Sequence, residues 1–171
     1  MSGPPVLRGL ALAALCSIGL LAACDDATAP DVPRGAVSLA PQPFPESVAG
    51  YLYSGLPDRR RLVVRDAVGW TELWREVTGR IQPPPPVPDI DFASEMVVVA
   101  SMGGRATGGY SIEIVRVAET TDRLYVEVRE VSPGRSCIVT MAGTAPVTAV
   151  RVPRRDLPVE FVERAETRDC G

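Results

Sequence analysis

The chain contains no histidine, lysine or asparagine, so its acid–base and nucleophilic capacity rests on carboxylates, hydroxyls and four cysteines. Without imidazole there is no Ser–His or Cys–His pair, no usual general base near neutral pH, and no commonest zinc ligand. Asp89-x-Asp91 opens like a calcium loop. Its fifth, sixth and twelfth positions, however, are Ala93, Ser94 and Ala100, where an EF-hand needs an oxygen ligand, a glycine and a glutamate. That excludes an EF-hand and leaves at most a weak, incidental cation site. Ser111 lies in Gly-Tyr-Ser-Ile-Glu, which lacks the second glycine of a nucleophile elbow and any His or Lys base. Gly103 and Gly108 have the outer spacing of a phosphate loop, but Gly109-Tyr110 stands where Lys-Ser/Thr is required, and a strand pattern follows instead of a helix. Paired carboxylates can hydrolyse glycosides, yet aromatics are only 5% of residues and most fall on expected core faces, which leaves little for a sugar platform. No catalytic residue, metal site or cofactor is assigned, and no small-molecule substrate is expected.

The cysteines carry the clearest chemistry. Leu21-Ala22-Ala23-Cys24 ends an apolar run from Gly9 to Ala23 that is preceded by one cation, Arg8. Leucine, two small residues and cysteine form a lipobox: the small side chains suit a signal peptidase, and the thiol takes a diacylglycerol. The run has about 15 residues, short of the roughly 20 that cross a bilayer, and reads as a processing signal over residues 1–23. Cys24 is the expected lipidation site, which anchors an exported chain to a membrane of the bacterial cell envelope. Asp25 and Asp26 follow it, and the choice of membrane stays open. Cys16 leaves with the signal, so Cys137 and Cys170 remain and read most simply as one disulfide in an oxidising compartment, with two unpaired thiols as the other reading.

Of 171 residues, 148 remain after that cleavage, enough for one domain with a real core. Loss of Arg8 takes the formal charge from −3 to about −4, so there is no basic field to hold nucleic acid. Residues 24–45 are rich in Ala, Pro, Asp and Ser without apolar periodicity and read as a disordered tether. The folded domain is expected over 46–171. Residues 48–54 and 61–66 read as strands, with Arg59-Arg60-Arg61 as a solvated cluster at the turn between them, or a contact for lipid headgroups or an acidic partner. Trp70, Leu73, Trp74 and Val77 fall at i, i+3, i+4 and i+7, one apolar stripe of a helix packed on a sheet. Gly79 closes that helix, and Pro83 to Pro86 form a rigid surface segment or a docking peptide.

Residues 96–100 form an unbroken apolar run, the mark of a central strand buried on both faces. Residues 110–117 and 123–131 alternate around Glu119 to Asp122, a hairpin with Ile112, Ile114 and Val117 opposing Leu124, Val126 and Val128. Further strands are expected at 137–140 and 147–152, and a last short one at 159–162. The fold class is therefore α+β: a mainly antiparallel, curled or barrel-like sheet of about seven or eight strands with one amphipathic helix packed on it.

Between the central strand and the hairpin lies Met102-Gly103-Gly104-Arg105-Ala106-Thr107-Gly108-Gly109-Tyr110, with four glycines in seven residues. That density points to positive φ angles or close backbone approach. The motif Gly-x-x-x-Thr-Gly-Gly-Tyr-Ser-Ile, here Gly103 to Ile112 with one extra spacing glycine and set beside the Trp70-x-x-Leu-Trp74 helix, Asp91-Phe92, Pro133-Gly134, Cys137, Pro146 and Val152-Pro153, resembles the PrcB C-terminal domain family over roughly residues 45–155. The resemblance implies a non-enzymatic protein that binds a protease. PrcB is an exported lipoprotein that stabilises a secreted serine protease, and the distantly related emfourin inhibits a thermolysin-like metalloprotease. The loop residues Gly104, Arg105, Thr107, Gly108, Gly109 and Tyr110 are the expected partner contacts, since Arg and Tyr are enriched at binding hot spots. A purely structural role for the glycines, in an envelope domain without a dedicated partner, is the other reading.

Overall fold

The computed structural model of the chain describes residues 31–44 and 54–171. Cys24 with its lipobox, and all of the strand expected at 48–54 except Ser54, lie outside the described residues. The elements run β1 (Val37–Leu39), β2 (Gln42–Pro43), β3 (Arg59–Val64), α1 (Ala67–Thr78), β4 (Glu95–Met102), β5 (Ser111–Glu119), β6 (Leu124–Pro133), β7 (Val147–Pro153) and β8 (Val159–Arg168).

The eight strands form two four-stranded sheets, β1-β5-β6-β8 and β2-β7-β4-β3. A single curled or barrel-like sheet was the expectation, and the two-sheet order corrects it. Apolar side chains of both sheets meet in one cluster, with Met96, Val98 and Ala100 of β4 against Ile114, Val117, Val126 and Val128 of β5 and β6. The opposite face of β4 offers Val97 and Val99 to Trp70, Leu73, Trp74 and Val77 of α1. The molecule is thus three layers: helix, sheet, sheet. Successive strand residues point to opposite faces, so a strand in the middle layer must be apolar at every position. That is why residues 96–100 carry no polar side chain. Asp66 caps the helix by accepting a hydrogen bond from Gly69 N at 2.8 Å.

One pairing is parallel. The chain leaves β6, crosses to the other sheet as β7, and returns as β8, which pairs in parallel with β6 from Leu124↔Val159 to Pro133↔Arg168. Two traversals restore the direction, and the β7 excursion supplies the long crossover that a parallel pair needs. β8 therefore runs ten residues, beyond the short strand expected at 159–162. The hairpin β5–β6 is as expected, with Ile114↔Val128 and Val117↔Val126 in register. A bulge between Ile114 and Arg116 shifts the side-chain parity, which explains why the inward residues step from 114 to 117.

Two further expectations change. Residues 31–44, placed in the tether, carry β1 and β2 as edge strands, and Phe44 stacks on Trp70 with ring centroids 5.3 Å apart. Val32 and Ala36 cover Ala118 and Val162 on the outer face of the β1-β5-β6-β8 sheet. Strands this short, one containing a proline, are set by tertiary pairing and leave almost no local pattern. Residues 137–140 form no strand and lie in the β6–β7 crossover. The proline run, by contrast, stays at the surface as expected, with Pro83, Pro84 and Pro86 exposed; the Pro85 carbonyl, and that of Pro88 beyond the run, accept hydrogen bonds from the indoles of Trp74 and Trp70 at 3.1 and 3.0 Å.

The arginine cluster is internal wiring. Arg59, Arg60 and Arg61 lie in β3, not at a turn, and alternate between faces. Arg60 pairs with Glu76 of α1 at 2.6 Å. Arg59 and Arg61 reach across to the other sheet: Arg59 to Glu130 at 2.9 Å and to Glu163 at 2.7 Å, and Arg61 to Glu163 at 2.8 Å and to Glu130. The side chains of Arg61 and Glu130 are only 11% and 15% exposed, so this is a largely desolvated inter-sheet bridge. Burial alone would raise the Glu130 carboxyl, but hydrogen bonds from Arg61 and Arg59 outweigh it and hold it below its ordinary value of 4.5. Glu119 is lowered as well, first by its hydrogen bond from Arg155.

A carboxylate with a depressed pKa in the folded state stabilises that state above its unfolded pKa, and the contribution is lost as pH falls through the folded value. The thermal midpoint should accordingly stay level from pH 7 to about 5 and fall below that. Glu130→Gln should cost about 2–3 kcal/mol at pH 7, because Arg59 and Arg61 are left short of a counter-charge. The same variant should show a shallower acid limb. Thermal melts of both proteins from pH 3 to 7 check this; parallel acid limbs would remove Glu130 from the account.

Candidate functional site

The loop after β4 must turn from one sheet to the other, and its glycines serve that crossing. Gly103 has φ +73°, and a Cβ there would lie 2.7 Å from the backbone carbon of Asp58. Gly109 has φ +87°, with a Cβ position 2.8 Å from Val139 Cγ1. Both conformations are ones that side-chain-bearing residues rarely adopt. Backbone bonds then fasten the loop on both sides. Gly104 N donates to Pro57 O at 2.8 Å, and Gly108 N donates to Thr140 O at 2.9 Å. Arg105 and Thr144 exchange bonds of 2.7 and 2.9 Å as an isolated antiparallel bridge, and Thr144 Oγ1 donates to Thr107 O at 2.9 Å.

The six expected contact residues thus lie together at one end of the sandwich, but they do not share one exposure. Gly104 and Gly109 are exposed, Arg105, Thr107 and Tyr110 half-buried, and Gly108 buried. Arg105 is held within the loop: Nη2 donates to Met102 O at 3.0 Å, and the guanidinium lies over the Tyr110 ring at 5.4 Å. Its Nε is buried without an acceptor. Gly108 therefore serves the loop's own packing, while Gly104, Arg105, Gly109 and Tyr110 keep surface to offer.

The loop's neighbour is the crossover from β6 to β7, which local patterning mistook for a strand. It is pinned at one end by the Cys137–Cys170 disulfide, with Cα atoms 4.8 Å apart and a sequence separation of 33. The bond ties the end of β8 to this crossover rather than to a central strand. Gly134 N donates to Arg168 O at 2.8 Å beside it. Between the disulfide and the Arg105–Thr144 bridge, Ile138 and Met141 stand in solvent. An apolar run normally reads as buried, so their exposure had no local signal.

Little at this end can do covalent chemistry. Among the described residues no three of His, Cys, Asp and Glu gather as a metal site. The Asp91 carboxylate is occupied in a turn: it accepts from Ala93 N at 3.1 Å and from Ser94 Oγ at 2.7 Å, and the Ser94 bond leads in holding it below the ordinary aspartate value. Ser111 begins β5, with no base offered to it. The cleft at that end of the outer sheet, about 320 Å³, is lined by Glu113 and Arg129, which pair with each other at 2.5 Å.

The loops at one end of this small three-layer domain are tied to one another by backbone hydrogen bonds and a disulfide. Residues 96–153 match the family model described as PrcB C-terminal. The matched stretch runs from β4 to the end of β7 and takes in the glycine loop, the hairpin and the disulfide-held crossover. The family resemblance is therefore shown over that stretch, which is shorter than the 45–155 expected from the motifs. No curated protein and no solved structure matches the chain.

The two adjacent glycines, Gly103 buried and Gly104 exposed, should separate by substitution. Gly103→Ala should lower stability by about 2–4 kcal/mol, from the positive φ and the backbone clash together. Gly104→Ala should stay within about 0.5 kcal/mol, since its nearest neighbour would be Pro57 O at 3.6 Å. Chemical denaturation of both variants is the measurement, and equal stabilities would show the crossing to be looser than described.

Proposed function

We propose that this chain is a non-enzymatic lipoprotein of the bacterial cell envelope whose folded domain binds a protease, as stabilising subunit or inhibitor. The match of residues 96–153 to the PrcB C-terminal family carries this reading. The glycine loop inside that match supports it, because its exposed residues sit on a frame braced by backbone hydrogen bonds to both neighbours. A pre-formed loop loses little conformational freedom on binding, which favours recognition over a floppy tether. Anchoring follows from Cys24: an acylated N-terminus holds the domain at a membrane where exported proteases act. A lipid anchor is also consistent with the fold, since no helix among the described residues is long and apolar enough to cross a bilayer.

The test uses the full chain, tagged at the C-terminus and purified from its own membranes in mild detergent. A protease should co-purify, identified by mass spectrometry, and Cys24→Ser should move the chain out of the membrane fraction. Arg105→Ala with Tyr110→Ala should cut recovery of that protease at least tenfold while shifting the melting temperature by no more than about 5 °C. Recovery of lipid and abundant porins alone would leave an architectural domain without a dedicated partner. Collapse of folding in the double variant would make the loop structural.

A further inference from the structure

Ile138 is 102% exposed and Met141 88% exposed, whereas the other exposed large apolar side chains described are valines scattered over the surface. Single exposed valines need no explanation, but two large flexible apolar groups on one short loop do. The loop is also braced where a free surface loop is not. The Cys137–Cys170 disulfide holds one flank, and the Arg105–Thr144 bridge and the Gly108–Thr140 hydrogen bond hold the other.

Arginines without a carboxylate partner gather around this loop. On the sheets, Arg59, Arg60, Arg61, Arg123, Arg129, Arg155 and Arg164 are paired with carboxylates, whereas Arg116 is held by Ser38 Oγ and the Ala36 carbonyl. Arg80, Arg105 and Arg135 have no ion-pair partner among the described residues. Arg80 and Arg105 line one cleft of about 350 Å³ with Gly104, Ala106 and Gly143, and no carboxylate lines it. Arg135 stands exposed two residues before Cys137. Asp58 and Asp169 border this end without pairing to any of the three.

Building on the protein-binding reading above, we propose that this end is the docking surface, and that its partner is a protein with an apolar socket rimmed by carboxylates. Ile138 and Met141 enter the socket, and Arg80, Arg105 and Arg135 meet the rim. Central apolar anchors ringed by polar contacts are the usual anatomy of a protein interface. The arginines left without a carboxylate, two of them lining a carboxylate-free cleft beside the braced loop, select an acidic rim on that partner.

The experiment places the photocrosslinker p-benzoylphenylalanine at position 138, 141 or 68 of the full acylated chain in its own envelope. Val68 is 69% exposed on α1, away from the proposed surface, and serves as control. Crosslinks from 138 and 141 but not 68, mapped by mass spectrometry to an apolar partner segment flanked by Asp or Glu, support the proposal. Arg80→Glu with Arg105→Glu should then lower the crosslink yield at least tenfold, with folding checked by an unchanged melt. Crosslinks from 68 alone, with a protease still captured, would overturn this surface and leave the functional reading standing. Crosslinks from 138 to lipid or to a second copy of the chain would also overturn it, as would indifference to the charge reversal. If no position crosslinks and no protease is captured, the functional reading itself falls.

Discussion

The middle sheet has apolar partners on both faces, and everything else in the domain is arranged to provide them. β4 buries Met96 through Met102, with alternate residues facing α1 and the second sheet. Burying apolar side chains at roughly 25 cal/mol per Å² makes this double cover the main source of stability. Because β4 is paired by β3 on one side and β7 on the other, its ends are fixed. The glycine loop begins at the last residue of this most constrained strand. A loop rooted there inherits the rigidity of the core.

At the β3 edge the two sheets are joined by charge instead of by apolar contact. Arg59 and Arg61 meet Glu130 and Glu163 where Val63, on the same face of β3, still packs against the core. Such a bridge contributes little net stability once desolvation is counted, but each ion depends on the others for its solvation. It therefore discriminates between sheet registers more than it strengthens the correct one. A one-residue slip of β3 would turn both arginines toward α1 and leave Arg60 alone to face the two glutamates.

What could be read in the chain followed from periodicity. The stripe of Trp70, Leu73, Trp74 and Val77, the unbroken run in β4 and the alternation of the hairpin each obey one rule of one element. What could not be read depends on two elements at once. β8 was cut short because Glu163, an inward position, is polar and satisfied by Arg59 and Arg61 from the other sheet. β1 and β2 are too short to carry a period, and their register comes from β5 and β7. The arginine triplet looked like a solvated turn because alternation is invisible when all three residues are alike. For the site, the glycine loop was visible as a composition, but its companion was hidden. Cys137, Ile138 and Val139 look like the start of a buried strand, and only the crossover to β7 shows that they are outside.

The placement of that crossover bears on how the domain can bind. A convex tip that must enter a recess gains affinity only if its own ordering cost has already been met on folding. Here three independent restraints meet within a few residues: the disulfide to the end of β8, the bridge at Arg105–Thr144, and the crowding of Gly109 against Val139 and Pro133. The fold leaves two large apolar side chains in water beside Arg80, Arg105 and Arg135, which no carboxylate pairs among the described residues. The docking surface proposed above would give that combination a use.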